Sequence, residues 1–494
     1  MKKILIISFY ELKEYLMYIK ELFINYNYIV NNYPLFQYAY DTNDKLENYK
    51  EHMNNFITHM KPDVIIWWFL DVPSDVFKYI KSNNKSTYFI MFNFDDPCNF
   101  NTELLEKAKI FDLVLSPCMD NLHKYSIYSG VTNTKFMPIG YDPKYFYPFY
   151  DNPEKIAEFD DADKYTADIS VLCYTLYDGI YYPDQQVTRK QLYTDIMAYC
   201  KKNKKTFKIY GSHALIEIFP ENYVGDINYY NLNKVYNLSK LVINTHPHCL
   251  NYTAISDDMN ILGSGALLLI DRVKNLDKIL IDHKDCIVLK EGYIQQINHI
   301  LNHYDMYKPI RKAGYETSKK YTWDNLIEQI HIEITKHFFD PALYLDNYNI
   351  NLDRELIQDP FEHFKTVGVK NNFIGFSYDV PETFRFKDYI EEFNLNSTSK
   401  HRAYLHWYLN GRNTDYLKDK STNNSIGNIE NYNTNIEQWF MINSALYRVS
   451  DYRTRDIGLV ELGSLCKNNP KIKINDLINI FFDFFNSTNY NTNT

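Results

Sequence analysis

Residues 63–70 read DVIIWWFL and residues 87–92 read TYFIMF. Neither run alternates polar with apolar residues. Each is the continuous apolar run that a strand needs when both of its faces are covered. Residues 3–9 (KILIISF) and 113–116 (LVLS) are of the same kind, and helical patterns near 11–25, 44–60, 74–82, 102–109 and 119–128 fall between them. Strands separated by helices pair in parallel, so the first third predicts a doubly wound α/β sheet.

The rhythm breaks over 147–167, YPFYDNPEKIAEFDDADKYTA, which carries Pro, Asp and Glu with little periodicity. It then restarts. Strands at 169–174, 206–210, 241–245 and 266–270 alternate with helices at 189–201, 232–238 and 257–263, and 293–338 is largely helical. The expectation is two Rossmann-like domains, 1–146 and 168–338, joined by the connector 147–167. Ligands of open parallel sheets bind beyond the strand carboxyl ends, so the loops of both domains should face one cleft.

Beyond 338 a different pattern begins. Phe339, Tyr344, His363 and Gly368 recur as Phe384, Tyr389, His406 and Gly411, with the same five-residue steps from Phe to Tyr and from His to Gly. This predicts a duplicated small helical unit over 339–417 packing on the body. The His residues, with Phe364 and Trp407 beside them, read either as packing or as a grip on acceptor glycan or a partner protein. A polar linker (418–435), a helical cap (436–485) and a disordered tail (486–494) complete the extension.

Composition narrows the function classes. A chain of 494 residues suits two to four domains of ~100–200 residues. Lys and Arg number 53 against 62 Asp and Glu, a net charge of −9, which disfavours coating of nucleic acid. The 46 Tyr and 31 Phe accompany abundant Asn, Ile and Lys, the signature of an AT-rich genome rather than of a chemistry. Seven cysteines with no CxxC pair disfavour zinc ribbons and thioredoxin-like sites and fit reduced thiols. The N-terminal apolar run ends at Tyr10-Glu11 without a cleavage site, and no stretch approaches the ~18–20 apolar residues of a membrane span. A soluble, cytoplasmic protein is expected.

Four segments carry a more specific signal: Phe94-Asp95-Asp96-Pro97 after a buried strand, PIGYDPKYFYP at 138–148, KIYGSH at 208–213, and VINTHPHCLNYTAISDDMNILGSGALLLIDRV at 242–273. Their order and contexts resemble the two-domain GT-B glycosyltransferases, most closely the group like the CgeB spore-maturation protein, over roughly residues 1–335. The resemblance implies transfer of a sugar from a nucleotide-sugar donor (UDP-, GDP- or another nucleoside diphosphate) to a hydroxyl of a glycan, protein or small molecule, without a metal. It places Gly211, Ser212 and His213 at the nucleobase and His246 at phosphate or sugar. Ser256, Asp257, Asn260, Ser264 and Gly265 fall along the donor. The family usually has Arg at the position of Asp257 and Glu at that of Asn260, where the Glu accepts the ribose hydroxyls. Asn accepts only neutral hydrogen bonds; either a shift of helix register lets the nearby Asp257 or Asp258 substitute, or donor binding has moved to another sugar nucleotide or been lost.

The leaving diphosphate also needs cationic help, for which Arg189 and Lys190 open a helix after the loop that follows strand 169–174. On the acceptor side, Asp95 and Asp96 are candidate bases. Neighbouring carboxylates raise one another's pKa, and such a base fits inversion. Several of these residues have an ordinary use as well: Gly265 as a helix C-cap, and Asp95-Asp96 as a turn before Pro97. Other classes fit less well. Asp161-Ala162-Asp163 spells the DxD of metal-dependent transferases but sits in the connector, and Phe9-Tyr10-Glu11 has none of the glycines of a dinucleotide site. The remaining alternative is an inactive scaffold of the same fold that binds nucleotide or glycan.

Overall fold

The computed structural model describes residues 2–8, 15–34, 46–68, 72–97, 99–159, 161–174, 176, 188–246, 257–348, 359–380, 384–395 and 399–410. Ser256, Gly411, the linker, the cap and the tail lie outside the described residues. The chain falls into two compact units, Met1–Asp379 and Val380–Thr494.

The first unit contains two six-stranded sheets, each parallel throughout. The first is built from β1 (Lys3–Ser8), β2 (Ile29–Pro34), β3 (Val64–Trp67), β4 (Tyr88–Phe92), β5 (Leu113–Ser116) and β6 (Thr134–Phe136), in the order β2-β1-β3-β4-β5-β6. The second comprises β7 (Ala167–Cys173), β8 (Phe207–Gly211), β9 (Tyr223–Gly225), β10 (Ser239–Asn244), β11 (Leu268–Ile270) and β12 (Ile287–Val288), ordered β12-β11-β10-β7-β8-β9. Two Rossmann-like doubly wound lobes are therefore the fold, as expected.

The apolar runs behave as sequence physics requires. Every residue of Val64–Trp67 is fully buried, and Trp67 packs on Phe77 of the helix Ser74–Asn83 at 4.3 Å between ring centroids. Each such side chain contributes ~1.5–3 kcal/mol by leaving water. Four strands went unread: β2, β6, β9 and β12, the two edges of each sheet. β2 carries Asn31 and Asn32 and closes on Pro34, a composition that only an edge tolerates. The connector also departs from expectation, holding short helices at Pro153–Ala157 and Ala162–Tyr165.

The last helix of the second lobe, Trp323–Phe338, packs back on the first. Tyr18 donates to Asp324 at 2.7 Å, and the Tyr28 hydroxyl and His331 Nδ1 are 2.9 Å apart. Trp323 also lies 6.0 Å from Trp68 and 6.3 Å from Phe94. The first repeat copy covers this same helix, with Phe364 5.6 Å from His331 and Phe376 5.4 Å from Tyr28.

The duplication read from spacing is a duplication of contacts. The Tyr344 hydroxyl meets His363 Nδ1 at 2.9 Å, and in the second copy Tyr389 meets His406 Nδ1 at 3.0 Å. The Phe339–Tyr344 and Phe384–Tyr389 ring pairs share one geometry, 5.6 Å and 49°. Both tyrosines are fully buried, so these rings form a core within each copy. Among the described residues no helix is long and apolar enough to cross a membrane.

Candidate active site

In the second sheet the chain runs from β7 outward to β8 and β9, then returns to lay β10 on the other side of β7. This reversal makes a topological switch point at the carboxyl ends of β7 and β10, where open parallel sheets form the crevice that binds their ligands. β10 ends at Asn244 and delivers Thr245 and His246 there.

His246 is almost wholly buried, and both ring nitrogens are engaged: Nδ1 with Asp271 Oδ1 at 2.6 Å and Nε2 with Asp258 Oδ2 at 3.0 Å. Its backbone N–H donates to the other Asp271 oxygen at 2.9 Å, and Asn244 Nδ2 donates to Asp258 Oδ1 at 2.8 Å. Burial alone pushes the imidazole toward neutrality, but the two carboxylates outweigh it and hold the pKa well above the usual histidine value. His246 is thus a charged strut joining the end of β10 to the residue after β11 and to the helix Asp257–Gly263. The expectation that its ring touches phosphate or sugar is corrected, because no ring nitrogen is left to do so.

Arg189 follows the cap Thr188, whose side chain accepts from the Gln191 N–H at the start of the helix Arg189–Asn203. The guanidinium turns inward. Its Nε donates to Thr245 Oγ1 at 2.9 Å and a terminal nitrogen donates to the Thr245 carbonyl. Tyr193 joins the same hydroxyl at 3.2 Å. Arg189 is buried at 7% exposure, so it lies behind the crevice as a fixed charge and is not an open clamp; Lys190 is exposed.

Asp257 is half-buried at the crevice end of its helix. Burial and the Asp258 charge raise its carboxyl to about 6, opposed by His246, an Asn260 hydrogen bond and Arg189. Asp258 is fully buried and committed to the strut. Asn260 is nearly buried, and its Oδ1 has no donor among the described residues.

Gly211 ends β8 with φ +125°, and a Cβ there would collide with the Cys173 carbonyl of β7. No other residue fits that close approach beside the crevice. Ser212 caps the short turn that follows by accepting from the Ala214 N–H, and His213 is exposed.

Ser264 and Gly265 are at the far end of their helix. Gly265 has φ +68°, its N–H donates to the Leu262 carbonyl at 2.8 Å, and the next N–H, of Ala266, reaches Ile261 at 3.1 Å. This is a Schellman C-cap. Ser264 is fully buried and donates to the Asn260 carbonyl, while the Gly265 carbonyl accepts from Arg311. Since β11 begins at Leu268, paired with Val242, both residues precede the amino ends of the strands. The expected donor contact of Ser264 and Gly265 is corrected to a packing role, the helix having carried them across the sheet from the crevice.

In the first lobe, Asp95 and Asp96 follow β4 but differ. Asp95 is exposed, and partial burial of its carboxyl raises its pKa. Asp96 is fully buried and accepts from Ser116 Oγ at 2.5 Å, Tyr125 at 3.0 Å and Asn121. Asp96 is therefore corrected from candidate base to anchor of the turn, and the raised pKa of Asp95 arises from burial instead of from its neighbour. Asp161 of the DxD look-alike pairs with Lys234 at 2.9 Å, as a connector charge would.

Sequence reasoning missed Asn244, Thr245, Asp258 and Asp271 as partners of one network. The available signal was the placement of polar residues at the ends of two apolar strands, Asn244-Thr245-His246 and Asp271.

Residues 190–332 match the family described as glycosyl transferase-like. Among curated proteins none matches this chain. Solved structures similar to it include sucrose-phosphate synthase from Thermosynechococcus elongatus, at 12% identity and a TM-score of 0.49 over 68% of this chain and 99% of that one. Anabaena Alr3699/HepE in complex with UDP and glucose has 12% identity and a TM-score of 0.49, over 68% of this chain and 100% of that one. A glycosyltransferase from Rickettsia africae ESF-5 has 11% identity and a TM-score of 0.47, over 68% and 98%.

Proposed function

We propose that the protein is a GT-B glycosyltransferase of the CgeB-like type. It moves a sugar from a nucleoside-diphosphate donor to a hydroxyl of a glycan, protein or small molecule without a metal. The observation that carries this reading is a coincidence of place. The segment matching the glycosyl transferase-like family, 190–332, contains the strut of His246, Asp258 and Asp271 that closes the β7–β10 crevice.

Each step then has a residue. Gly211 leaves room for a flat base beside β8, and Asp257 accepts the ribose hydroxyls in place of the family's Glu. Near neutral pH its carboxyl, with a pKa of about 6, is mostly ionised and accepts charge-assisted hydrogen bonds. The diphosphate lies at the N-terminus of the helix Arg189–Asn203, where the positive end of the helix dipole and the buried Arg189 charge offset its developing negative charge, with Lys190 at the rim. Across the cleft, Asp95 takes the proton of the acceptor hydroxyl as that oxygen attacks the anomeric carbon from the face opposite the diphosphate, so configuration inverts.

The test is nucleotide release from UDP-glucose, UDP-galactose, UDP-N-acetylglucosamine and GDP-mannose in the presence of EDTA. Slow hydrolysis of one donor is expected, and Asp257→Ala should weaken that donor's binding about tenfold, the loss of a hydrogen bond to a charged group. Tight nucleotide binding without turnover, even with acceptors supplied, is the scaffold's result. Absence of any nucleotide binding defeats the transferase and leaves only a glycan-binding scaffold.

A further inference from the structure

The second lobe has a cavity of about 740 Å³ at the carboxyl ends of β11 and β12, one strand beyond the crevice. Neighbouring strands are ~5 Å apart, so this cavity opens within a sugar's reach of the end of β10. Its wall begins where the strut ends: Asp271 holds His246, and the next residue, Arg272, lines the cavity. One rim is tied to the first lobe, whose Asp120 pairs with Lys274 and accepts from Asn275 at 3.1 Å, between the lining residues Val273 and Leu276.

The lining has two parts. The floor is aliphatic, made of Val273, Leu276, Leu280, Val288 and Leu289, all buried. The walls are charged, with two cations against three carboxylates. Arg272, Lys290, Asp277, Asp282 and Glu291 all line the cavity. Lys290 and Asp282 neutralise each other at 3.0 Å. Arg272, Asp277 and Glu291 are exposed and have no hydrogen-bond or ion-pair partner among the described residues. A surplus of cations would select an anion, and an uncharged wall would select an apolar group. Unpaired carboxylates beside an unpaired guanidinium, over an aliphatic floor, instead offer acceptors and donors to a neutral molecule dense in hydroxyls, with C–H faces for the floor.

We infer that this cavity binds a neutral carbohydrate, with Asp277 and Glu291 accepting from its hydroxyls and Arg272 donating to them. The ligand class is argued from the lining alone. That the bound saccharide is the acceptor rests on the glycosyltransferase reading, and the inter-lobe bridge at the rim places it where both lobes meet.

Saturation-transfer NMR on the full-length protein tests this with the methyl glycosides of glucose, galactose, mannose and N-acetylglucosamine, and with maltose, cellobiose and lactose. Inorganic phosphate and heparin serve as the charged probes. At least one neutral saccharide is expected to bind in preference to both anions. Arg272→Ala and Asp277→Ala should each weaken it about tenfold, while Arg272→Lys retains part of the affinity. Circular dichroism should show both alanine variants folded, since these side chains hold nothing else in place. Failure of all seven saccharides, affinity unchanged in both alanine variants, or preference for heparin or phosphate each overturns the inference. UDP binding measured on the same sample separates the readings. A protein that binds UDP but no saccharide loses the cavity's role alone, and one that binds saccharide but no nucleotide loses the transferase.

Discussion

His246 carries a positive charge in the protein interior because Asp258 and Asp271 flank it, one at each ring nitrogen. A histidine whose folded pKa is raised stabilises the fold fully below the unfolded value of ~6.5, and that contribution is lost as pH rises through the folded value. With the folded value well above the usual one, the loss falls on the alkaline side. His246→Gln leaves two buried carboxylates without their cation and is expected to cost about 3–5 kcal/mol at about pH 6 by urea unfolding. The gap to wild type should narrow toward about pH 10. A constant gap across that range would mean that His246 is neutral in the folded protein. The histidine was legible in the sequence as a site residue and its role was not, because its partners come from two other elements, 12 and 25 residues away.

Central and edge strands left very different traces. β3, β4 and β5 are covered on both faces, so their residues are apolar almost without exception and their runs stand out. β2, β6, β9 and β12 have a neighbour on one side only and need neither length nor uniform apolarity, so nothing marked them. The helix Asp257–Gly263 was read with its boundaries correct, yet residues at its two ends were assigned to one ligand. The N-terminal Asp257 is at the crevice, while Gly265 lies beyond the other end, against the side chains of Pro148 and Tyr150. A Cβ on Gly265 would approach Pro148 and Tyr150 at 2.8 Å and would hold φ at +68°, which costs an ordinary residue ~1–2 kcal/mol. Gly265→Ala should therefore lower the melting temperature and leave nucleotide affinity unchanged. Loss of affinity at unchanged stability would return Gly265 to the donor.

The first compact unit ends at Asp379, between the two points that composition marks, residues 338 and 417. Residues 339–379 belong to the first compact unit, and in it Phe364 and Phe376 cover His331 and Tyr28, with Thr335 against Gly375. His331 is buried and held neutral, its pKa pushed down to about 3. A chain ending at Asp379 should melt close to the full-length protein, whereas one ending at Phe338 should melt several degrees lower, by the roughly 4 °C or less per kcal/mol typical of large domains. Equal melting of the two truncations would show that the first repeat contributes nothing to the body. The linear order of residues settled the alternation of buried strands and helices, hence two parallel sheets, and the Phe–Tyr–His–Gly duplication, because those depend on local periodicity and on spacing. Which candidate side chains meet a ligand and which meet each other was decided in three dimensions. Asp96, Arg189 and His246 spend their polar atoms on Ser116, Thr245 and Asp271, from distant strands and loops, and no spacing rule records a contact made across a sheet.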